Sequence, residues 1–213
     1  MTASASEFDE FWTALFPTPQ AAQDTELLRQ IGFVPGLREM LTVRQVHALE
    51  HATVWVLSGF PDRRIAPPDW KENNWEENSN LGGLSTEKGF YLYGQANTAE
   101  VKRAVNQALA RITQGEWNLA VHPRCGTNLS VGMLLTASIA FGIHLLLPRN
   151  PIEQLLGLGV AATTAAQLTP ELGRFVQQHM TTAIPFNLSV REVSIVQDFW
   201  DRPAHFIQTE WID

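Results

Sequence analysis

Residues 125–148 contain no charged side chain, and within them the run LSVGMLLTASIAFGIHLLL has about the length a helix needs to cross the hydrocarbon core of a bilayer. After a break at PRNP comes a second apolar segment, IEQLLGLGVAATTAAQL, which carries Glu153 and several threonines. Gly157, Gly159 and Ala161 give it the small-residue surface on which membrane helices pack closely. The two segments predict an antiparallel helical hairpin at residues 129–147 and 152–168, joined at 148–151, with an apolar outer surface. The competing reading is a pair of buried helices in a soluble α+β domain, to which a mean hydropathy near zero lends weight. A spanning hairpin returns the chain to the side it left. Arg124, Arg174 and Arg191 flank that side against Arg149 at the tip, so the positive-inside rule places the soluble part in the cytoplasm.

The rest of the chain is built to fold around a core. Its 213 residues suit one domain, or one domain with an inserted module, and an apolar content of 45% is enough to fill an interior. A net charge of −7 with scattered basic residues lacks the electrostatic footprint of a nucleic-acid binder. One cysteine cannot form an internal disulfide, so Cys125 is packing, ligand or nucleophile. The opening MTASASEFDEFW has no basic start followed by an apolar run, and no cleaved signal is expected.

Residues 1–40 read as N-terminal amphipathic helices. Phe8, Phe11, Trp12, Leu15 and Phe16 form an aromatic stripe that docks either on the core or in a membrane interface, and ELLRQIGF is a second helix ending at VPG. Residues 41–128 form the motif-bearing α+β module. Thr42 with Gln45 reads as a capping box opening a helix over about residues 43–58, closed by Gly59 and Pro61. A polar loop with Trp70 and Trp75 follows. GGLSTEKGFYLYG has a turn at Glu87, Lys88 and Gly89 before a strand at 90–93. Asn97 and Glu100 cap a helix with Val101, Ala104, Val105, Ala108, Leu109 and Ile112 on its apolar face, which Gly115 ends. NLAVH then reads as a strand delivering His122, making a strand-helix-strand unit. Residues 129–183 hold the apolar hairpin. Residues 184–213 supply a β-hairpin, EVSIVQDFW and HFIQTEW, turning at Asp201, Arg202 and Pro203, that completes the module. The expected class is therefore α+β, a small mixed sheet with helices plus an apolar, membrane-spanning hairpin.

Two segments carry chemistry. In HALEHA, His47 and His51 stand four residues apart on one helical face with Glu50, an H-x-x-E-H pattern. Two imidazoles so placed can bind one zinc ion, and the glutamate can act as general base; the bland account is two surface histidines and an ion-pairing glutamate. In HPRCGTN, Cys125 precedes a helix N-terminus and follows Arg124, both of which favour the thiolate that binds metal. His122 and Cys125 are thus further metal candidates beside a purely structural cysteine, and mixed imidazole and sulfur ligation matches zinc better than iron. His144, inside the apolar run, is a polar group of functional interest, while His179 and His205 read as structural.

LTVRQVHALEHA, GGLSTEKGFYLYG, QALARITQGEWNLAVHPRCGTN and the glycine-rich hairpin resemble an uncharacterised family of bacterial proteins, prominent in cyanobacteria, known as a domain of unknown function. The likeness runs from about Gly32 to the C-terminus. A broader set of bacterial membrane proteins is similar in pairing an H-x-x-E-H helix with an H-P-R-C-G-T loop, which implies that His47, Glu50, His51, His122 and Cys125 form one site. The loop at 69–80 is longer than the family's usual connection. The resemblance implies a thylakoid or plasma membrane setting with the soluble face toward the cytoplasm; the partners expected of such a chain are membrane lipid and a membrane protein complex. Two functions remain open: a zinc-dependent hydrolase, such as a peptidase, with Glu50 as catalytic base and His47, His51 and Cys125 or His122 on the metal; or a noncatalytic membrane assembly protein with a structural metal. A third reading makes Cys125 a nucleophile with His122 or His51 as base.

Overall fold

The computed structural model describes residues 19–61, 78–147 and 150–212. The aromatic stripe at 8–16, Trp70 and Trp75 of the polar loop, and residues 148–149 of the hairpin connection lie outside the described residues. The chain divides into two compact units: one runs to Ala120 and resumes at Thr182, and the other is Val121–Thr181.

The first unit is built on a central helix. After α1 (Gln23–Ile31), Gly36 takes φ 80° and starts α2 (Leu37–Leu57). This helix begins earlier than the proposed capping box at Thr42. Residues 37–41, LREML, are strong helix formers whose Leu37 and Leu41 are buried, so nothing breaks the helix before Thr42. The Thr42 hydroxyl instead donates to the Arg38 carbonyl, 2.8 Å away, one turn back. Gln45 points to other elements, donating to Asp24 Oδ2 (2.6 Å) and Asn187 Oδ1 (3.3 Å). Helix α3 (Thr98–Thr113) has the expected capping box, in which Asn97 Oδ1 accepts from Ala99 N–H and Glu100 reaches back to Asn97 N–H. Gly115, at φ 112°, follows its end.

Four strands, β1 (Gly82–Thr86), β2 (Gly89–Tyr93), β3 (Leu188–Gln197) and β4 (Pro203–Trp211), form a sheet in the order β1-β2-β4-β3. The class is α+β, as expected, but every pairing is antiparallel and the sheet is not mixed. The difference lies in NLAVH, since Trp117–Ala120 is a 3₁₀ turn and not a strand. Its Leu119 N–H bonds to Glu116 O, and both edges of β2 are already taken by β1 and β4. Alternation along β2 buries Phe90 and Leu92, with Phe90 opposite Ile207 of β4, while Tyr91 on the other face meets Phe206 at 4.8 Å. The core joins Val46, Leu49 and Ala52 of α2 to Phe90, Val105, Ile112, Leu119 and Ile207. Buried Arg111 bridges Glu116 and the carbonyls of Phe60 and Pro61, fixing the chain beyond α2.

The second unit is a helical hairpin, α4 (Gly126–Leu146) and α5 (Pro151–Val176), followed by a π-helical turn at Gln177–Thr181. Both helices are longer than expected. Asn150 caps α5 by accepting from Ile152 N–H, with Pro151 at the first helical position. The helices meet along a stripe of α5 that repeats every fourth residue: Gly157, Ala161, Ala165, Thr169 and Gly173. A Cβ on Gly157 would meet Ile143, and one on Gly173 would meet Asn128. Gly159, expected in this surface, has open space around it. Leu129, Met133, Leu134, Phe141, Leu145, Leu155, Leu156 and Val160 are exposed. Among the described residues, α4 is the helix long and apolar enough to cross a membrane.

Candidate metal centre

One turn of α2 carries His47 and His51, whose ring centroids are 4.3 Å apart. His51 is buried, and its Nδ1 lies 2.7 Å from the carbonyl oxygen of Ala120. A carbonyl only accepts, so Nδ1 carries the proton and the ring's lone pair sits on Nε2. Metal-binding histidines are held in this way, the second nitrogen tied to a backbone acceptor that fixes tautomer and ring orientation.

Glu50 is buried beside them, and β1 defines its position. The Ser85 hydroxyl donates to Oε2 at 2.5 Å. Oε1 lies over Gly83, where any side chain would collide with the carboxyl group. Burial pushes the Glu50 carboxyl above its ordinary value, against the opposing pulls of the Ser85 hydrogen bond and the charge of His47. A carboxylate with raised proton affinity is the kind a general base requires near neutral pH.

In the second unit, HPRCGTN is a folded connection. Cys125 is the N-cap of α4, and its Sγ accepts from Thr127 N–H at 3.4 Å, as the sequence suggested from its place before a helix. His122 is buried; its Nδ1 accepts from Arg124 N–H at 3.3 Å, and its own N–H donates to Gln177 Oε1 at 2.8 Å. The neutral His122 ring therefore carries its proton on Nε2. His47 and His51 of the first unit offer two imidazoles and Cys125 of the second a thiol, donor types suited to a metal.

The other histidines have local partners. His144 Nδ1 lies 2.8 Å from Gln154 Oε1, linking the two hairpin helices. His205 meets the Thr98 hydroxyl at 3.0 Å, and His179 packs on Phe175; burial lowers the proton affinity of both. Sequence reasoning missed Gly83, Ser85, Asn128 and Gln177. None belongs to a local pattern with the residue it supports, apart from Asn128, which closes the HPRCGTN segment itself.

A family model described as "Domain of unknown function (DUF6391)" matches residues 42–193. The chain belongs to this family. The match includes α2 from Thr42 onward with its histidines, the HPRCGTN segment and the helical hairpin. An uncharacterised protein of the cyanobacterium Picosynechococcus sp. is 49% identical over 203 residues, covering 95% of this chain and 96% of the relative. The expected cyanobacterial kinship therefore holds. No solved structure matches the chain.

Proposed function

We propose that this DUF6391 member is a membrane-associated, zinc-dependent hydrolase acting on a peptide-type bond, with His47, His51 and Cys125 as metal ligands and Glu50 as the catalytic base. The observation that carries it is the pairing on one helix of two adjacent imidazoles with a buried carboxyl group of raised proton affinity. Chain connectivity supports Cys125 as the third donor. Ala120 is hydrogen bonded to His51, and Cys125 follows five residues later, so it lies within a covalent reach of roughly 17 Å. The imidazole and thiolate donors fit zinc.

Bound zinc would supply Lewis acidity toward water and the scissile carbonyl. The protein's own part is proton handling and orientation. Glu50 takes up the proton of the attacking water while Ser85 fixes its Oε2, and Glu50 then returns that proton to the leaving amine. Ala120 keeps His51 in the tautomer that presents Nε2. The hairpin, with α4 suited to crossing a bilayer, anchors this chemistry in a plasma or thylakoid membrane, with the first unit on the cytoplasmic side.

Burial of His51 and Cys125 favours a second reading, a noncatalytic membrane assembly protein stapled by a closed structural metal. Elemental analysis of protein purified from membranes, followed by peptidase assays on wild type and Glu50→Gln, separates the two. One zinc per chain, with activity lost but metal retained in Glu50→Gln, is expected of the hydrolase. Protein that carries no metal sinks both readings. Bound zinc with cellular function untouched by Glu50→Gln but lost in His51→Ala leaves the structural role.

A further inference from the structure

Gln177 has no place in either motif, yet it is fully buried, in a π-helical turn at the end of α5. Such turns shift the helical register and recur at functional sites. Both ends of its amide are engaged with the segment that carries Cys125. Oε1 accepts from His122 N–H at 2.8 Å, and Nε2 donates to Asn128 Oδ1 at 2.8 Å. Asn128 in turn donates through Nδ2 to the Pro123 carbonyl at 2.7 Å. Thr181, the last residue of the turn, meets the Thr127 hydroxyl at 3.2 Å. Gly173, one turn before Gln177, has no side chain because Asn128 occupies the space.

These contacts grip the segment on both sides of Cys125. Within the grip, Cys125 N–H bonds to His122 O at 3.2 Å and Asn128 N–H to Cys125 O at 3.0 Å, while Thr127 N–H points at Sγ. The direction of the thiol is thus set by a folded loop, and the loop is held by an amide about fifty residues away. A buried glutamine that only filled space would need neither contact, and an apolar side chain would fill the same volume without the cost of burying an amide.

We infer that Gln177 is a positioning residue for the Cys125 thiol, holding it in the direction from which it binds metal. The inference rests on the metal reading proposed above, but the loop-holding role can be read without metal. Cys125 is the sole cysteine, so alkylation of the metal-free full chain in detergent reports on it alone. Gln177→Met, which removes both contacts at similar volume, should raise the alkylation rate roughly ten-fold by making local opening easier. Gln177→Glu, which keeps the acceptor but loses the donor, should raise it less. Titration with cobalt(II) should show the thiolate-to-cobalt absorption band of wild type shifted or lost in Gln177→Met, with affinity lower by about 10- to 100-fold. Alkylation and cobalt binding both unchanged in a variant with wild-type helical circular dichroism would overturn the inference; if Gln177→Met does not fold, the same comparison on Gln177→Glu decides. Wild type that binds no cobalt removes the metal reading, and the alkylation rates alone then show whether Gln177 holds the loop.

Discussion

The carboxylate of Asp198 accepts hydrogen bonds from Trp200 N–H, from Arg202 N–H and guanidinium, and from the Tyr93 hydroxyl, locking the turn between β3 and β4. Burial pushes its pKa up, but these donors outweigh that effect and hold it well below the usual carboxylate range. A lowered folded pKa means that the unfolded chain takes up the proton more readily. The stabilisation is therefore present above the ordinary value of 3.8 and is lost as the pH falls below it. Asp198→Asn should be less stable than wild type at neutral pH, and urea unfolding should show the gap narrowing toward about pH 3. A gap independent of pH would mean that the charge does not matter. A second residue-scale prediction concerns Gly83. A methyl group there meets the Glu50 carboxyl group, so Gly83→Ala should cost about 1–3 kcal/mol in urea unfolding. Shortening the partner in Gly83→Ala/Glu50→Ala should recover part of that loss, and strictly additive costs would show that the two do not touch.

At the scale of elements, the hairpin offers a clean contrast between glycines. Gly157 faces Ile143 and Leu147, whereas Gly159 has nothing near it. Gly157→Leu should force α4 and α5 apart and lower the thermal midpoint in detergent, with a cost on the order of 1–3 kcal/mol or more. Gly159→Ala should be neutral or slightly stabilising, since alanine is the better helix former. Equal effects would show that the stripe is not the packing surface. This contrast also marks what was legible beforehand. The capping box of α3, the two hairpin helices and the cysteine before α4 were readable because their signals lie within a few residues of one another. The start of α2 was misplaced because Thr42 and Gln45 match a cap in isolation, while Gln45 is committed to Asp24 and Asn187, the latter 142 residues away. NLAVH reads as a short apolar strand, but a strand also needs an unoccupied neighbour, which no local pattern reveals. The H-x-x-E-H and HPRCGTN patterns were legible locally, whereas the contacts of Ser85 with Glu50 and of Gln177 with His122 were not, because they exist only in the folded chain.

Taken whole, the molecule pairs a folded α+β unit with a hairpin whose exposed side chains are largely apolar. Carbonate extraction of native membranes should leave the protein in the pellet, and a hairpin variant with Leu134, Phe141 and Leu145 all changed to serine should be released or fail to accumulate. Full release of wild type would count against spanning. The first unit is also discontinuous in sequence: β2 pairs with β4, which is made only after both apolar helices. At about 5–20 residues per second, β2 leaves the peptidyl-transferase centre roughly 6–22 s before the strand that completes its ladder. Until then the unit lacks Ile207, and one edge of β2 has no partner. Both apolar helices are thus made while the first unit is still unfinished, so on the proposed membrane reading insertion precedes the closing of the sheet.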